Sequence, residues 1–323
     1  MEPPLRIVFA GTPEFAVPSL RALIEGPDSV VGVLTQPDRP AGRGRHLQSP
    51  PVKTVAEEAG IPLAQPTSLG GGSGKAILSG WAPDLMVVAA YGLLLPHEVL
   101  ELPRLGCINV HASLLPAYRG AAPIQWAILD GRRDTGITIM QMEPGMDTGP
   151  ILLQRVRGIG ERETGGELHD ALAALGAQAL TEAIGCLRAG TLEARRQDPG
   201  QVTYAPKIDK AEAELDWTRS AVELVNRLRA FNPWPVAFVR LAGGPLRIWR
   251  GRVDGATDRP PGTLVQDGDG EPAVACGDGR LLVLQEVQPP GRNRMSGRDA
   301  LHGGYLGPGA ALDGADDPSG PTR

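Results

Sequence analysis

The chain has 323 residues, 41% of them hydrophobic, and a formal net charge of −5. Its length predicts about two domains, and its acidity excludes a globally basic nucleic-acid binder, so any anionic partner must be met by a local patch. The three cysteines, Cys107, Cys186 and Cys276, are widely spaced; this argues against a disulfide framework or a zinc site and fits a reducing compartment.

The first residues run directly into the apolar Ile7–Ala10, so no signal peptide is read. No apolar run reaches the ~18 residues of a membrane span. A cytoplasmic protein without a membrane partner is expected, and a monomer.

Leu5–Ala10 reads as a strand, followed by Gly11-Thr-Pro and a helical pattern to about Glu25, then a β-branched run at Val30–Thr35. This β-loop-α-β opening predicts a parallel sheet. Asp84–Ala90 and Cys107–Val110 are near-continuous apolar strands of the kind buried on both faces. Ala121–Leu129 reads as a helix, Gly136–Met142 and Ile151–Val156 as strands, and Thr164–Leu187 as a helix opened by a Thr164/Glu167 capping box. The texture changes near residue 190. Residues 190–207 are polar and aperiodic and read as a linker between a domain at 1–189 and a second at 208–302. In the second, one helix (Ser220–Phe231) precedes five short strand-like pieces separated by Gly/Asp/Pro turns, a pattern for a small antiparallel barrel or sandwich. Residues 303–323 read as a flexible tail.

Two phosphate-loop lookalikes fail. Gly11-Thr-Pro lacks the further glycines of a dinucleotide loop. Gly70-Gly-Gly-Ser-Gly-Lys75 has Leu69 and Ala76 where a phosphate loop needs glycine and Ser/Thr, so it reads as a flexible loop.

The informative segment is Cys107-Ile-Asn109-Val-His111-Ala-Ser-Leu-Leu-Pro116, followed by Gly145-Met-Asp147-Thr-Gly149. Asn109 and His111 sit two apart on a strand and face the same way. An amide donor beside an imidazole at the end of a parallel strand suits a carbonyl that becomes a tetrahedral oxyanion. Taken singly, His111 is also compatible with a satisfied core histidine, Asn109 with a turn cap, and Asp147 with an ordinary turn aspartate. The functional reading of Asp147 is a carboxylate that orients or charges the imidazole.

Asn109-Val-His111-Ala-Ser-Leu-Leu-Pro116 with Asp147-Thr-Gly149 resembles the folate-dependent formyltransferase family. Ala10–Phe15, Thr35–Gly44, Arg119–Gln125, Ile139–Met142 and Phe231–Pro235 resemble the branch that acts on tRNA. The resemblance runs from about residue 5 to about 300. It implies a Rossmann-like, mostly parallel α/β domain followed by a smaller OB-like β-barrel domain. It implies transfer of the formyl group of 10-formyltetrahydrofolate, without a metal, to the amino group of methionyl-initiator-tRNA. Asn109, His111 and Asp147 match the family's catalytic trio, Ser113, Leu114, Leu115 and Pro116 its folate-binding segment, and Tyr91 and Gly92 are further folate candidates. Ala112 and Ala117 depart from the residues common at their positions, and neither change touches a polar catalytic atom.

The long Gln36–Lys53 connection carries Arg39, Arg43, Arg45 and Lys53 against Asp38, and the resemblance implies that it enters the tRNA with Arg43 at its tip. Arg240–Arg252 holds Arg240, Arg247, Arg250 and Arg252 with Trp249 and no acid. Arginines with an aromatic fit backbone and stacking contacts, Arg247 and Arg250 foremost. A small amine as acceptor, an RNA-binding module with a dead fold, and a nicotinamide oxidoreductase are weaker readings. The first lacks any need for the basic loop and second domain, the second for the intact trio, and the third lacks its glycine fingerprint.

Overall fold

A computed structural model describes residues 3–41, 46–241 and 243–307. The chain forms two compact units: Met1–Pro123, Asp134–Gly158 and His169–Pro206 make the first, and Ile124–Arg133, Ile159–Leu168 and the chain from Lys207 make the second.

The first unit is built on β1 (Arg6–Gly11), β2 (Ser29–Leu34), β3 (Leu63–Ala64), β4 (Leu85–Ala89), β5 (Cys107–His111), β6 (Asp134–Gln141) and β7 (Ile151–Gly158). They lie in the order β7-β6-β5-β4-β1-β2-β3. The five strands from β1 to β5 run parallel, and β6 and β7 add antiparallel to the β5 edge. Strand β4, Leu-Met-Val-Val-Ala, is buried at every position, as its unbroken apolar run requires; burying each of its larger side chains stabilises by about 1.5–3 kcal/mol. The chain order reverses between β1 and β4, so a crevice opens beyond their carboxyl ends, where open α/β sheets bind ligands. Strand β5 runs parallel beside β4, with Asn109 opposite Val88. The expected Rossmann-like architecture is present.

The second unit holds the helix Ala221–Ala230 and the strands β8 (Phe238–Leu241), β9 (Gly244–Ala256), β10 (Leu264–Gln266), β11 (Pro272–Ala275), β12 (Arg280–Gln288) and β13 (Met295–Ser296). Their order is β8-β9-β12-β11-β10, with β13 on β12, all antiparallel. The sheet curls into a half-barrel.

Three stretches differ from their sequence expectation. The Gln36–Lys53 connection contains an antiparallel pair, Arg39–Ala41 with His46–Gln48, and ends in the helix Pro51–Glu58. Its ends are tied by the Lys53 Nζ–Asp38 Oδ2 ion pair at 2.8 Å. Gly70–Lys75, expected as a flexible loop, instead enters a helix: Gly71 and Gly72 take positive φ, and Ser73–Trp81 is helical. A glycine-rich start with few apolar positions hides that helix from a periodicity count. The 190–207 stretch is paired into the first unit, with Ile151 bridged to Arg195 and Tyr204–Ala205 parallel to Arg119–Gly120. Of the expected tail, 308–323 lie outside the described residues.

Both expected helix starts carry capping boxes. Thr164 N–H donates to Glu167 Oε2 (2.8 Å) and Glu167 N–H to Thr164 Oγ1 (3.2 Å). Ser220 and Glu223 make the same reciprocal pair. We expect Ser220→Ala to cost about 0.5–2 kcal/mol, read as a lower urea midpoint at unchanged slope; an unchanged midpoint would show the box to be idle.

Candidate active site

The site begins where β5 ends. After His111 the chain turns away, and a seryl–threonyl network folds it back. Thr138 Oγ1, on β6, donates to the Ser113 carbonyl (2.6 Å) and accepts the Leu115 N–H (3.0 Å). Gln154 Nε2, on β7, donates to the Leu115 carbonyl (2.9 Å) and to Thr138 Oγ1 (3.1 Å). Ser113 Oγ donates to the Ala117 carbonyl (2.6 Å). The turn therefore delivers the Tyr118 carbonyl to 3.0 Å from His111 Nε2.

That contact settles the ring's chemistry. A carbonyl only accepts, so Nε2 carries the hydrogen, and in the neutral ring Nδ1 is the nitrogen with the lone pair. His111 is 6% exposed. Its Nδ1 lies 3.8 Å from Asp147 Oδ2, within ion-pair reach but longer than a hydrogen bond.

Asp147 has φ +55°. A non-glycine residue in the left-handed region costs about 1–3 kcal/mol and persists only when its surroundings over-determine it. Here they do. Gly120 N–H donates to Asp147 Oδ2 at 2.8 Å. Gln197 Nε2 donates to the carbonyls of Asp147 (2.7 Å) and Gly149 (2.8 Å). Gln197 Oε1 in turn accepts from Arg119 Nε (3.1 Å) and Nη2 (2.7 Å). At about 0.5–1.5 kcal/mol net for each such bond, the three bonds made directly to the loop match the strain. Gly149 is required too, because a Cβ there would overlap the Gln141 carbonyl oxygen.

His111 and Asp147 are thus brought together, and Asn109, half-buried, lies one pleat back on the same strand face. The candidate folate residues are placed unevenly. Ser113 and Leu115 are buried, while Leu114 and Pro116 are half-buried. The Tyr91 ring is in the hydrophobic core, where burial pushes its phenol up to about 12. Its carbonyl accepts from Thr12 Oγ1 (2.9 Å) and Gln36 Nε2 (3.0 Å). Gly92 has φ +79°, with the Gln36 amide packed where a Cβ would stand. Tyr91 can therefore offer a ligand only backbone. A cavity of about 450 Å³ adjoins the same turn, lined by Leu114, Pro116, Ala117, Gln154, Val156 and Arg195 among others. None of the trio lines it, so it is not the reaction chamber.

Arg39 is exposed and donates through Nη2 to Gln36 Oε1 (2.6 Å); Arg43 and Arg45 lie outside the described residues. In the second unit the Arg240–Arg252 stretch is not the bare cationic strand its sequence suggests. Arg240 pairs with Glu214 (2.7 Å), Arg250 with Glu167 (3.4 Å) and Arg252 with Asp267 (2.9 Å). Among the described residues, Arg247 has no such carboxylate and is exposed. Trp249 is buried, with Arg294 stacked 3.1 Å from its ring centroid. The expectation that it stacks on a base is corrected: acids distant in sequence neutralise the arginines, and an arginine distant in sequence occupies the aromatic face.

Sequence reasoning missed Gln197, Thr138, Gln154 and the Tyr118 carbonyl. Gln197 lies in the stretch read as a linker, which carries no periodic signal. Among the described residues no group of three or more His, Cys, Asp or Glu is placed to hold a metal, and no helix is long and apolar enough to cross a membrane.

Residues 5–184 match the family model described as formyl transferase, and residues 207–304 the model described as formyl transferase, C-terminal domain. A methionyl-tRNA formyltransferase of Methylococcus capsulatus is 55% identical over 299 residues, covering 92% of this chain and 96% of that protein. One of Chromohalobacter salexigens is 53% identical, covering 92% and 93%. Among solved structures, an N-formyltransferase of Helicobacter canadensis, in complex with folinic acid and dTDP-3-aminofucose, superposes with a TM-score of 0.65 at 17% identity, over 87% of this chain and 98% of that one. At that identity it shares the fold.

The thiols stand apart from this site. Cys107 and Cys276 are buried, and burial pushes each up to about 12. Cys186 is half-buried. At pH 8 we expect a thiol reagent to modify only Cys186 quickly in the native protein, and all three after unfolding. Fast native modification of Cys107 would contradict the placement of β5.

Proposed function

The chain belongs to the formyl transferase family, and we propose that Asn109, His111 and Asp147 are the groups with which it carries out the transfer. It formylates methionyl-tRNA with a folate-derived donor, a reading that rests on relatives sharing more than half its residues over nearly their whole lengths. The small-amine acceptor is disfavoured on the same ground. We take 10-formyltetrahydrofolate as the donor and the initiator tRNA, formylated for translation initiation, as the acceptor.

The observation that carries the site assignment is the His111 ring held by a carbonyl at Nε2 with its Nδ1 toward Asp147. The acceptor must attack as a free amine, and α-amino groups titrate near ~8, so a useful fraction is neutral at physiological pH. Its nitrogen bonds to the formyl carbon, and the carbonyl oxygen becomes an oxyanion. The Asn109 amide and a protonated His111, donating from Nδ1, stabilise that charge. Asp147 offsets the charge of the ring. As the bond from the formyl carbon to N10 breaks, His111 gives its Nδ1 proton to N10, and the proton lost by the amine is taken up by the Asp147 carboxylate and returned to the ring. No metal and no covalent enzyme intermediate enters this scheme.

For the folate, Leu114 and Pro116 supply apolar contact and Tyr91–Gly92 backbone groups. For the tRNA, Arg39, Arg43 and Arg45 supply cations from the 36–53 connection and Arg247 from the second unit, with Arg250 a weaker contributor because it is already paired. Phosphate contacts of this kind weaken as salt rises.

Removing an oxyanion donor typically costs about 10²–10³ in rate. We expect Asn109→Ala and His111→Ala to lose at least that while still folding, in formylation of methionyl-initiator-tRNA with elongator methionyl-tRNA and small amines as controls. Near-wild-type turnover of both would remove the pair from the chemistry. Arg43→Ala is expected to raise the KM for tRNA more than that for folate; equal effects would take the connection out of tRNA recognition.

A further inference from the structure

The Gln197 carboxamide is used in full. Both its N–H groups donate, to the carbonyls of Asp147 and Gly149, and its oxygen accepts two bonds from the Arg119 guanidinium. Arg119 is itself fixed: its N–H donates to the Thr203 carbonyl (2.9 Å), and Arg119–Gly120 pair with Tyr204–Ala205. The next residue, Gly120, donates to the Asp147 carboxylate. The two ends of Asp147 are thus gripped by one assembly, the backbone through Gln197 and the carboxylate through Gly120. Arg119 links the two grips.

This arrangement solves a specific problem. Asp147 sits on a short loop with a left-handed backbone, and its carboxylate stands 3.8 Å from the His111 ring with no hydrogen bond to the ring itself. Gly120 alone fixes the oxygen but leaves the backbone free to relax toward the ordinary right-handed region. The two bonds from Gln197 flank the Asp147–Gly149 peptides and remove that freedom. A positional error of about 1 Å in a reacting group costs up to ~10²-fold in rate, so a neutral side chain remote from the formyl carbon has leverage on the reaction.

We infer that Gln197, clamped by Arg119, is a positioning residue that sets the Asp147 carboxylate against His111, and that residues 190–205 are part of the catalytic apparatus. The inference rests on the assignment of Asp147 as a catalytic group. Gln197→Leu keeps the bulk of the side chain and removes all four bonds. It is expected to lower kcat by roughly 10- to 100-fold, change the KM for folate and for tRNA by less than about threefold, and alter the pH profile of kcat. Gln197→Leu, Asp147→Asn and the double variant form a cycle on the full-length protein, with thermal unfolding followed in parallel. If Gln197 acts through Asp147, its substitution costs little more once Asp147→Asn is present. Additive losses, or an Asp147-independent rise in both KM values at unchanged kcat, would overturn the inference and leave Gln197 a merely structural residue. Wild-type turnover of Asp147→Asn alone would instead remove the catalytic assignment on which it rests.

Discussion

The hydrogen bond between His111 Nε2 and the Tyr118 carbonyl is the constraint on which the site depends. It chooses the tautomer, fixes the plane of the ring, and leaves Nδ1 as the nitrogen available to the proposed transfer. It also explains why the chain after β5 is so heavily bonded. A carbonyl seven residues downstream can return to the ring only if the turn between them is rigid. Thr138 and Gln154 make it so from the two antiparallel strands added to the parallel sheet. The edge extension β6–β7 is therefore part of the reason the imidazole is positioned, although neither strand supplies a group of the trio.

The second constraint is the backbone of Asp147. Its left-handed conformation costs free energy of the same order as two or three neutral hydrogen bonds, so the loop is set by a near balance that the bonds from Gly120 and Gln197 tip. Charge follows a similar logic across the second unit. The chain carries 32 basic and 37 acidic side chains, and many of the arginines that read as a cationic stripe are held by carboxylates from other elements. Among the described residues, cations with no carboxylate partner, such as Arg247, are then the positions at which phosphate can be met without first breaking an ion pair.

Much of this was legible in the chain. Continuous apolar runs at β1, β4 and β5 announced a sheet buried on both faces, and period-two spacing put Asn109 and His111 on one side of a strand. Thr164/Glu167 marks a helix start, and that helix and the one read from Ser220 form where expected. The hidden parts share a cause. Gln197, Thr138 and the Tyr118 carbonyl act through partners 20 or more residues away or through backbone, and neither contact leaves a local pattern. Residues 190–207 looked like a linker because they are polar and aperiodic, which is also how a segment looks when its bonds go to another loop and not to itself. The helix Ser73–Trp81 was masked by glycines at its start, and Trp249 looked available because sequence does not show that Arg294 covers it.

In the proposed reaction His111 works from Nδ1 because Nε2 is committed to a backbone carbonyl. Long-range ¹⁵N–¹H correlation spectra of the neutral His111 ring in the free protein test it most directly. The hydrogen is expected on Nε2, with an unprotonated Nδ1 that takes up the proton when the ring becomes charged. A neutral ring carrying its hydrogen on Nδ1 would contradict it.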